Sequence, residues 1–576
     1  MSNQDLAQIF ENIADLLQIK GESIHRILAY RNAGETLREL PRELSALQAE
    51  GKLTEIPGIG KTLAEKIEEW LTTGRLDFYE RLTQEVPPSL LEVLRVNGVG
   101  PKRAKLFWEQ RGITTLAQLQ AAAQAGQLRD LAGMGLKSEQ KIIEGIQALS
   151  RGAERIPLGV ALPIARAILD DLLTLPQALR GDVAGSLRRF RPTIGDIDLL
   201  IASHEPDPIM ARFVARPDVA RVLGHGDKKS SIQLLNGAQV DVRVLPPERY
   251  GTGLAYFTGS QAHNIRMREL ALKQGLSLSE HSFTYTDGRE GEILCATEEE
   301  VFAVLGLPWI PPELREDKGE LEAAQDGSLP TLITQDAIQA DLHMHTTWSD
   351  GKQSLREMAL SAKERGLRYI VITDHSRSLG VANGLSIERL RQQAAEVRAL
   401  DAEFGAEFHV LHGSEIEIKA DGTLDYPDEV LAELDFVIAS LHTSLRQPRA
   451  EITARLLHAI RNPHVDMIAH PRGQLIPQRD PADLDMDAVF EAALQHQTVL
   501  EMNANPSRLD LDAIHARRAG DLGLKLAINT DAHSTSDLDL LSYGIGTARR
   551  AWLKAEQIIN TWDYARFRAW LAGRNL

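Results

Sequence analysis

The chain has a single cysteine, Cys295, in 576 residues, which excludes an internal disulfide and any cysteine-based zinc cluster. No apolar run approaches the ~20 residues that a membrane span requires. The opening MSNQDLAQIFENIADLL lacks a basic stretch leading into an apolar core, so no signal peptide and no membrane contact are expected, and the protein reads as cytoplasmic. An excess of positive charge is also missing. The net charge of −17 argues against a uniformly cationic nucleic-acid wrapper. The deficit is uneven: residues 1–150 carry −2, residues 151–320 carry −4 and residues 321–576 carry −11, and the last segment holds twelve of the seventeen histidines. Carboxylate and imidazole gathered in one region suit a multi-metal site. A solvated acidic surface is the plainer alternative, and spacing has to decide.

At ~100–200 residues per domain the chain is long enough for about three to five domains. Three segments repeat a glycine–apolar–glycine turn followed by a helical pattern with early Lys or Arg: PGIGKTLAEKI (57–67), NGVGPKRAKLF (97–107) and AGMGLKSEQKI (132–142). Such a turn leaves backbone N–H groups free at a helix N-terminus, where phosphate is favoured. Gly58, Gly60, Gly98, Gly100, Gly133 and Gly135 are therefore candidate contacts to a DNA backbone, positioning it rather than reading bases. The rest of 1–150 is rich in Leu, Ala, Gln and Glu at helical spacing and poor in β-branched residues, which predicts an all-α region. From about 155, runs such as DIDLLIA and QVDVRVL read as strands between helices. Residues 313–335 are polar and charged, which predicts a linker. Beyond them RYIVITDH, FHVLHGSEIEI, DFVIASLH, VDMIAHP, TVLEMNAN and KLAINTDAH alternate with helical stretches. That alternation is an α/β signature with polar residues at strand C-termini, where barrel active sites sit.

Two constellations carry chemistry. In VAGSLRRFRPTIGDIDLLIA, Asp196 and Asp198 fall on one face of a strand, roughly 6–7 Å apart. With Asp241 of QVDVRV from a neighbouring strand they could hold two Mg²⁺ ions, one activating a 3′-hydroxyl and one clamping a triphosphate. In the C-terminal segment, DLHMHTTWSDG places His343 and His345 on the same side of a strand with Asp350 close behind. Further candidates end successive strands: His375, Glu415, His442, His470, Asp531 and His533. These nine nitrogen and oxygen ligands are too many for one ion and suit two or three, with Zn²⁺, Mn²⁺ and Fe²⁺ equally acceptable. His409, His412, His458, His464, His496 and His515 lack such company and are expected to be structural or exposed.

The segment SIHRILAYRNAGETLREL followed by PGIGKTLAEKIEEWLTTGRL resembles the small N-terminal domain of family X DNA polymerases. In some members that domain removes 5′-deoxyribose phosphate through a lysine Schiff base. The resemblance puts Lys66 at the lysine position and His25 and Tyr30 at accompanying ones, with Thr62 where a second basic residue stands. Both a lyase lysine and a helix-surface lysine near DNA stay open. GSLRR, GDIDLL and VDVRV resemble the nucleotidyltransferase palm, which implies that Gly185, Ser186 and Arg189 contact the incoming triphosphate, with Arg188 sharing that role or facing solvent. GLAYFTGSQAHNIRMRELALKQGL resembles the thumb, implying that Tyr256 and Phe257 line the sugar, Gly259 permits close approach, and Asn264 and Arg268 lie near the nascent base pair. Gln261 departs from the charged residue frequent there. Residues 336–560 resemble the PHP (polymerase and histidinol phosphatase) domain, a phosphoesterase with up to three metals, and in the loop HPRGQLI Gln474 stands in place of the arginine of the family's glycine-arginine version.

The expected architecture is multidomain: an all-α helix-hairpin-helix N-terminal region, an α+β nucleotidyltransferase palm and thumb, and a C-terminal α/β distorted (βα)7 PHP barrel. The expected boundaries are 1–85 (helix-hairpin-helix), 86–152 (fingers), 153–245 (palm), 246–315 (thumb), 316–336 (linker) and 337–576 (PHP). The resemblance implies a monomeric gap-filling repair polymerase using Mg²⁺ or Mn²⁺ in the palm. Its PHP domain would bind two to three Mn²⁺, Zn²⁺ or Fe²⁺ ions and supply 3′→5′ exonuclease and, in some members, abasic-site cleavage. Its partners would be gapped or primer-template DNA and deoxynucleoside triphosphates. The alternative is a metal-dependent phosphoesterase whose polymerase half is mainly a DNA-binding scaffold. A third reading is a non-enzymatic factor that bridges DNA ends.

Overall fold

A computed structural model of the chain describes residues 3–38, 40, 42–96, 98–150 and 155–574. They form two compact units, Met1–Glu154 and Arg155–Leu576. The boundary expected between 152 and 153 lies outside the described residues.

The first unit is helical throughout its described residues. Leu6, Phe10, Ile13 and Leu17 recur at helical spacing along Asn3–Lys20 and pack with Ile27, Tyr30 and Leu37 of Ile24–Arg38 in one core. Each repeat turn has the backbone its sequence demands. Gly58, Gly98 and Gly133 take φ of +77°, +88° and +72°, the left-handed region that glycine enters without penalty. The helices Lys61–Thr73, Pro101–Arg111 and Leu136–Ser150 begin just after Gly60, Gly100 and Gly135. Ile59 and Val99, the apolar residues between two of the glycine pairs, are buried in the core.

The second unit opens with a five-stranded sheet in the order Arg180–Val183, Ile197–Ala202, Gln239–Leu245, Lys229–Leu234, Val219–His225. The second and third strands in that order are parallel, and Asp198 lies directly opposite Asp241 in the register. The next layer joins the helices Tyr250–Thr258, Gln261–Lys273 and Glu298–Val304 to a small three-stranded antiparallel sheet.

The segment expected as a linker is instead part of this layer. It contains the helix Glu320–Asp326, and Leu314, Leu321, Ala324 and Leu332 join the same core as Phe283 and Phe302. The charges that suggested a solvated tether are satisfied internally. Arg315 pairs with Glu298 at 2.5 Å, and Glu320 accepts from His263 at 2.7 Å.

Seven parallel strands in sequence order then run from Ala340–Asp341 to Leu526–Asn529. A bridge between Met344 and Ala532 joins the first to the last, closing the sheet into a barrel. Alternate residues at the strand starts, among them Tyr369, Phe436, Met467 and Val499, pack with Trp562, Phe567 and Leu571 of the C-terminal segment. One end of the barrel is thereby filled with apolar side chains, and polar ones collect where the strands finish.

Candidate metal centres

In the palm, Asp196, Asp198 and Asp241 bring one carboxylate oxygen each within 4.8 Å of one another. Pairing of the two strands places Asp198 beside Asp241, and Asp196 enters from the turn preceding Ile197. Gly185 lies against them with φ +62°. A Cβ built there would sit 2.4 Å from Asp198 Oδ2, so only glycine lets the turn approach the carboxylate this closely. Burial, then repulsion from Asp196 and Asp241, pushes Asp198 up to about 7. Lys229 Nζ lies 2.5 Å from Asp241, and Lys229 and Arg243 offset only part of the rise at Asp198. The three carboxylates are thus crowded beyond what the chain's own cations offset, which is the donor set hard divalent ions favour.

Ser186 is the second residue of the short helix Gly185–Arg188 and is half-buried. Arg189, expected at the triphosphate, is instead buried, with its donors taken by Glu316 at 2.9 Å and the Thr258 carbonyl at 2.7 Å. Arg188 is held by both oxygens of Glu298 and by Thr258 Oγ1. Both guanidiniums tie the palm turn to the following helical layer, because buried carboxylates there claim them first. Arg243, which with Lys229 acts on Asp198, lies over the Phe257 ring at 4.2 Å. Tyr256 and Phe257 meet edge to face. Asn264 Nδ2 donates to the Tyr256 carbonyl at 2.7 Å, and a Cβ on Gly259 would strike Asn264 Oδ1. Arg268 is exposed on the same helix.

In the first unit, Lys66 Nζ lies 4.8 Å from the Phe78 ring centroid, Phe78 stacks on buried Tyr30, and His25 is exposed. Among the described residues, a Cβ on Gly60, Gly100 or Gly135 would meet nothing within 4 Å. Gly60 and Gly100 also have φ of −79° and −90°, so neither packing nor backbone requires glycine at those two positions.

At the barrel's polar end three sets of donors share members: His345, Asp350, His375 and His533; His343, His345 and Glu415; His375, Glu415 and His442. Glu415 is the hub, with His375 at 2.9 Å, His470 at 3.0 Å, His442 at 3.3 Å, His343 at 3.4 Å and His345 at 3.6 Å. Asp531 stands 3.1 Å from His345 Nε2. All nine expected residues therefore converge, although His343 and His345 lie just past the short strand Ala340–Asp341 rather than within it. Among the described residues, Nδ1 of His345 and of His470 are buried without hydrogen-bond partners. Buried polar atoms are seldom left unsatisfied, and these belong to a donor set suited to divalent ions.

The electrostatics agree. Burial, then His375 and His533, pushes His345 down to about 3. At His375 burial is outweighed by Glu415 and Asp350, which raise it to about 10. Glu415 stays far below the carboxylate range despite burial, because His442, His375 and His343 surround it.

Family models match residues 1–76 (helix-hairpin-helix domain), 90–148 (SAM-like helix-hairpin-helix tandem), 253–316 (DNA polymerase beta thumb) and 341–503 (PHP domain). The DNA polymerase/3′-5′ exonuclease PolX of Bacillus subtilis (strain 168) is 40% identical over 563 residues, 97% of each chain. This chain belongs to the family X DNA polymerases that carry a C-terminal PHP domain. A rat DNA polymerase lambda is 28% identical over 342 residues, 54% of this chain and 56% of its own. A probable phosphatase of Thermoanaerobacter sp. (strain X514) is 29% identical over 233 residues, 38% of this chain and 89% of its own.

Within this family fold, several groups around the ligands carry no local motif. Glu501 Oε1 accepts from His343 Nδ1 at 2.8 Å, Glu417 Oε2 holds His442 Nδ1 at 2.8 Å, and Asn529 donates to Glu501. Such partners fix the orientation of ligating imidazoles. The only sequence signal was their two-residue alternation within polar strand ends, as in Glu415 and Glu417. The helices of the described residues include none long and apolar enough to cross a membrane.

Proposed function

We propose that this polymerase extends 3′ ends in gapped or primer-template DNA at Asp196, Asp198 and Asp241, and that its PHP centre trims 3′ ends by phosphodiester hydrolysis, in the cytoplasm. The observation that carries the palm assignment is the strand register that sets Asp198 opposite Asp241 while Gly185 abuts Asp198. The three palm carboxylates would hold Mg²⁺ or Mn²⁺. His343, His345, Asp350, His375, Glu415, His442, His470, Asp531 and His533 would hold the PHP ions, Mn²⁺, Zn²⁺ or Fe²⁺. When bound, such cations neutralise phosphoryl charge and acidify the attacking hydroxyl or water.

The protein's own part is positioning. The Gly185–Ser186 turn offers backbone N–H groups and a hydroxyl to a triphosphate at the edge of the carboxylate cluster. Arg188 and Arg189 keep that turn in register with the Tyr256–Gly259 segment, where the sugar and base would lie. Gly60, Gly100 and Gly135 leave room for DNA phosphates to approach helix N-termini. Asp198→Ala should abolish nucleotide addition and leave trimming, and His343→Ala should do the reverse. Extension that survives Asp198→Ala would overturn the palm assignment.

A further inference from the structure

Arg508 lies in the loop after the barrel strand Val499–Asn503. Its Nε is 3.3 Å from Asp531 Oδ2 and its side chain is only 16% exposed. One of its terminal guanidinium nitrogens is buried and, among the described residues, has no hydrogen-bond acceptor. Buried donors are seldom left unpaired, and the loop is nonetheless built to hold it there. Gln474 Nε2 donates to the Arg508 carbonyl at 2.5 Å and to the Leu509 carbonyl at 3.1 Å. Arg508 N donates to the Asn505 carbonyl at 2.7 Å. Leu509 is buried in the palm core, and Pro506 packs on Gly159 so closely that a Cβ there would fall 2.6 Å away. The palm therefore anchors both flanks of a residue whose charged end lies among PHP ligands.

Orienting Asp531 does not account for this arrangement. Asp531 already has His345 Nε2 and Asn503 Nδ2 within 3.1 Å, and the unpaired guanidinium nitrogen would serve no purpose. A planar cation with a free donor beside a phosphoesterase centre suits one anionic ligand, a phosphodiester oxygen.

We propose that Arg508 binds a non-bridging oxygen of the scissile phosphodiester in the PHP centre. The inference rests on the trimming activity proposed above. In that hydrolysis the oxygen of water bonds to phosphorus and the bond from phosphorus to the 3′ oxygen of the preceding nucleotide breaks. The electron pair leaves on that oxygen, which gains a proton from the water, so a 5′-mononucleotide and a new 3′-hydroxyl result. Arg508 donates to a non-bridging oxygen of that phosphate and offsets its negative charge as water attacks.

The test compares full-length wild type, Arg508→Ala and Arg508→Lys, measuring trimming of 5′-labelled single-stranded DNA, bound metal, primer extension and inhibition of trimming by inorganic phosphate. Arg508→Ala is expected to lower trimming kcat/KM about 10²–10³-fold and weaken phosphate inhibition, with metal content and extension unchanged. Added guanidinium should restore part of the loss, and Arg508→Lys should fall between. Metal content that drops in step with activity would show Arg508 acting only through Asp531 and would overturn the proposal, as would unchanged trimming or phosphate inhibition in Arg508→Ala. A wild-type chain that binds its metals and fails to trim would instead overturn the activity on which the inference rests.

Discussion

Gly185→Ala tests the palm at its tightest point. Two costs arise from one methyl group. The residue has φ +62°, which for an L side chain costs about 1–2 kcal/mol. The new Cβ would lie 2.4 Å from Asp198 Oδ2 and 3.3 Å from its Cγ, so either the turn or the carboxylate must move by about 1 Å to reach ordinary contact. Asp198 is fixed by strand pairing to Asp241, and the movement takes its oxygen out of the three-carboxylate cluster. A misplacement of about 1 Å in a reacting constellation can cost about 10²-fold in rate. Single-turnover extension of a gapped duplex in Mg²⁺ and Mn²⁺ should therefore fall at least about 10²-fold, while Tm drops by about 2–4 °C and 3′ trimming stays at the wild-type rate. Extension within about threefold of wild type would refute the assignment of this turn to the metal cluster.

Glu501→Ala removes the acceptor that orients His343 and should weaken metal binding at the PHP centre about 10–100-fold, read by chelator competition, with primer extension intact. Gly60→Asp places a favourable N-cap on the helix Lys61–Thr73 in a position with no internal obstruction. Thermal stability should hold or rise slightly, and gapped-DNA affinity by fluorescence anisotropy should fall at least about tenfold because the carboxylate opposes a phosphate. At Glu298 burial is outweighed by Arg315 and Arg188, which hold the carboxyl at about 2 instead of 4.5. That pairing stabilises the fold fully above about pH 4.5 and is lost as pH falls towards 2. Glu298→Gln leaves buried Arg315 without its counter-charge and should cost about 3–5 kcal/mol at pH 7 in urea denaturation, a difference that narrows below pH 4.5.

Much of this protein was legible in local pattern. The glycine turns announced three helix starts because a positive φ is a property of single residues. The barrel strands and the convergence of polar side chains at their ends were visible because each strand places its donor where the apolar run ends, within a few residues of sequence. The polar segment 313–335 was misread because charge counts cannot show a partner. Arg315 meets Glu298 and Glu320 meets His263 only after the chain has folded back.

Sequence alone determined which side chains were on hand for chemistry: the Asp196–Asp198 pair, Asp241, and nine histidine and carboxylate side chains strung over almost two hundred residues. Tertiary structure decided how they are used. It set Asp198 opposite Asp241 across an intervening hairpin, committed Arg188 and Arg189 to buried carboxylates, and brought Arg508 to Asp531. Those outcomes depend on which distant groups compete for the same charge in a low-dielectric interior, a competition that exists only once solvent has been excluded.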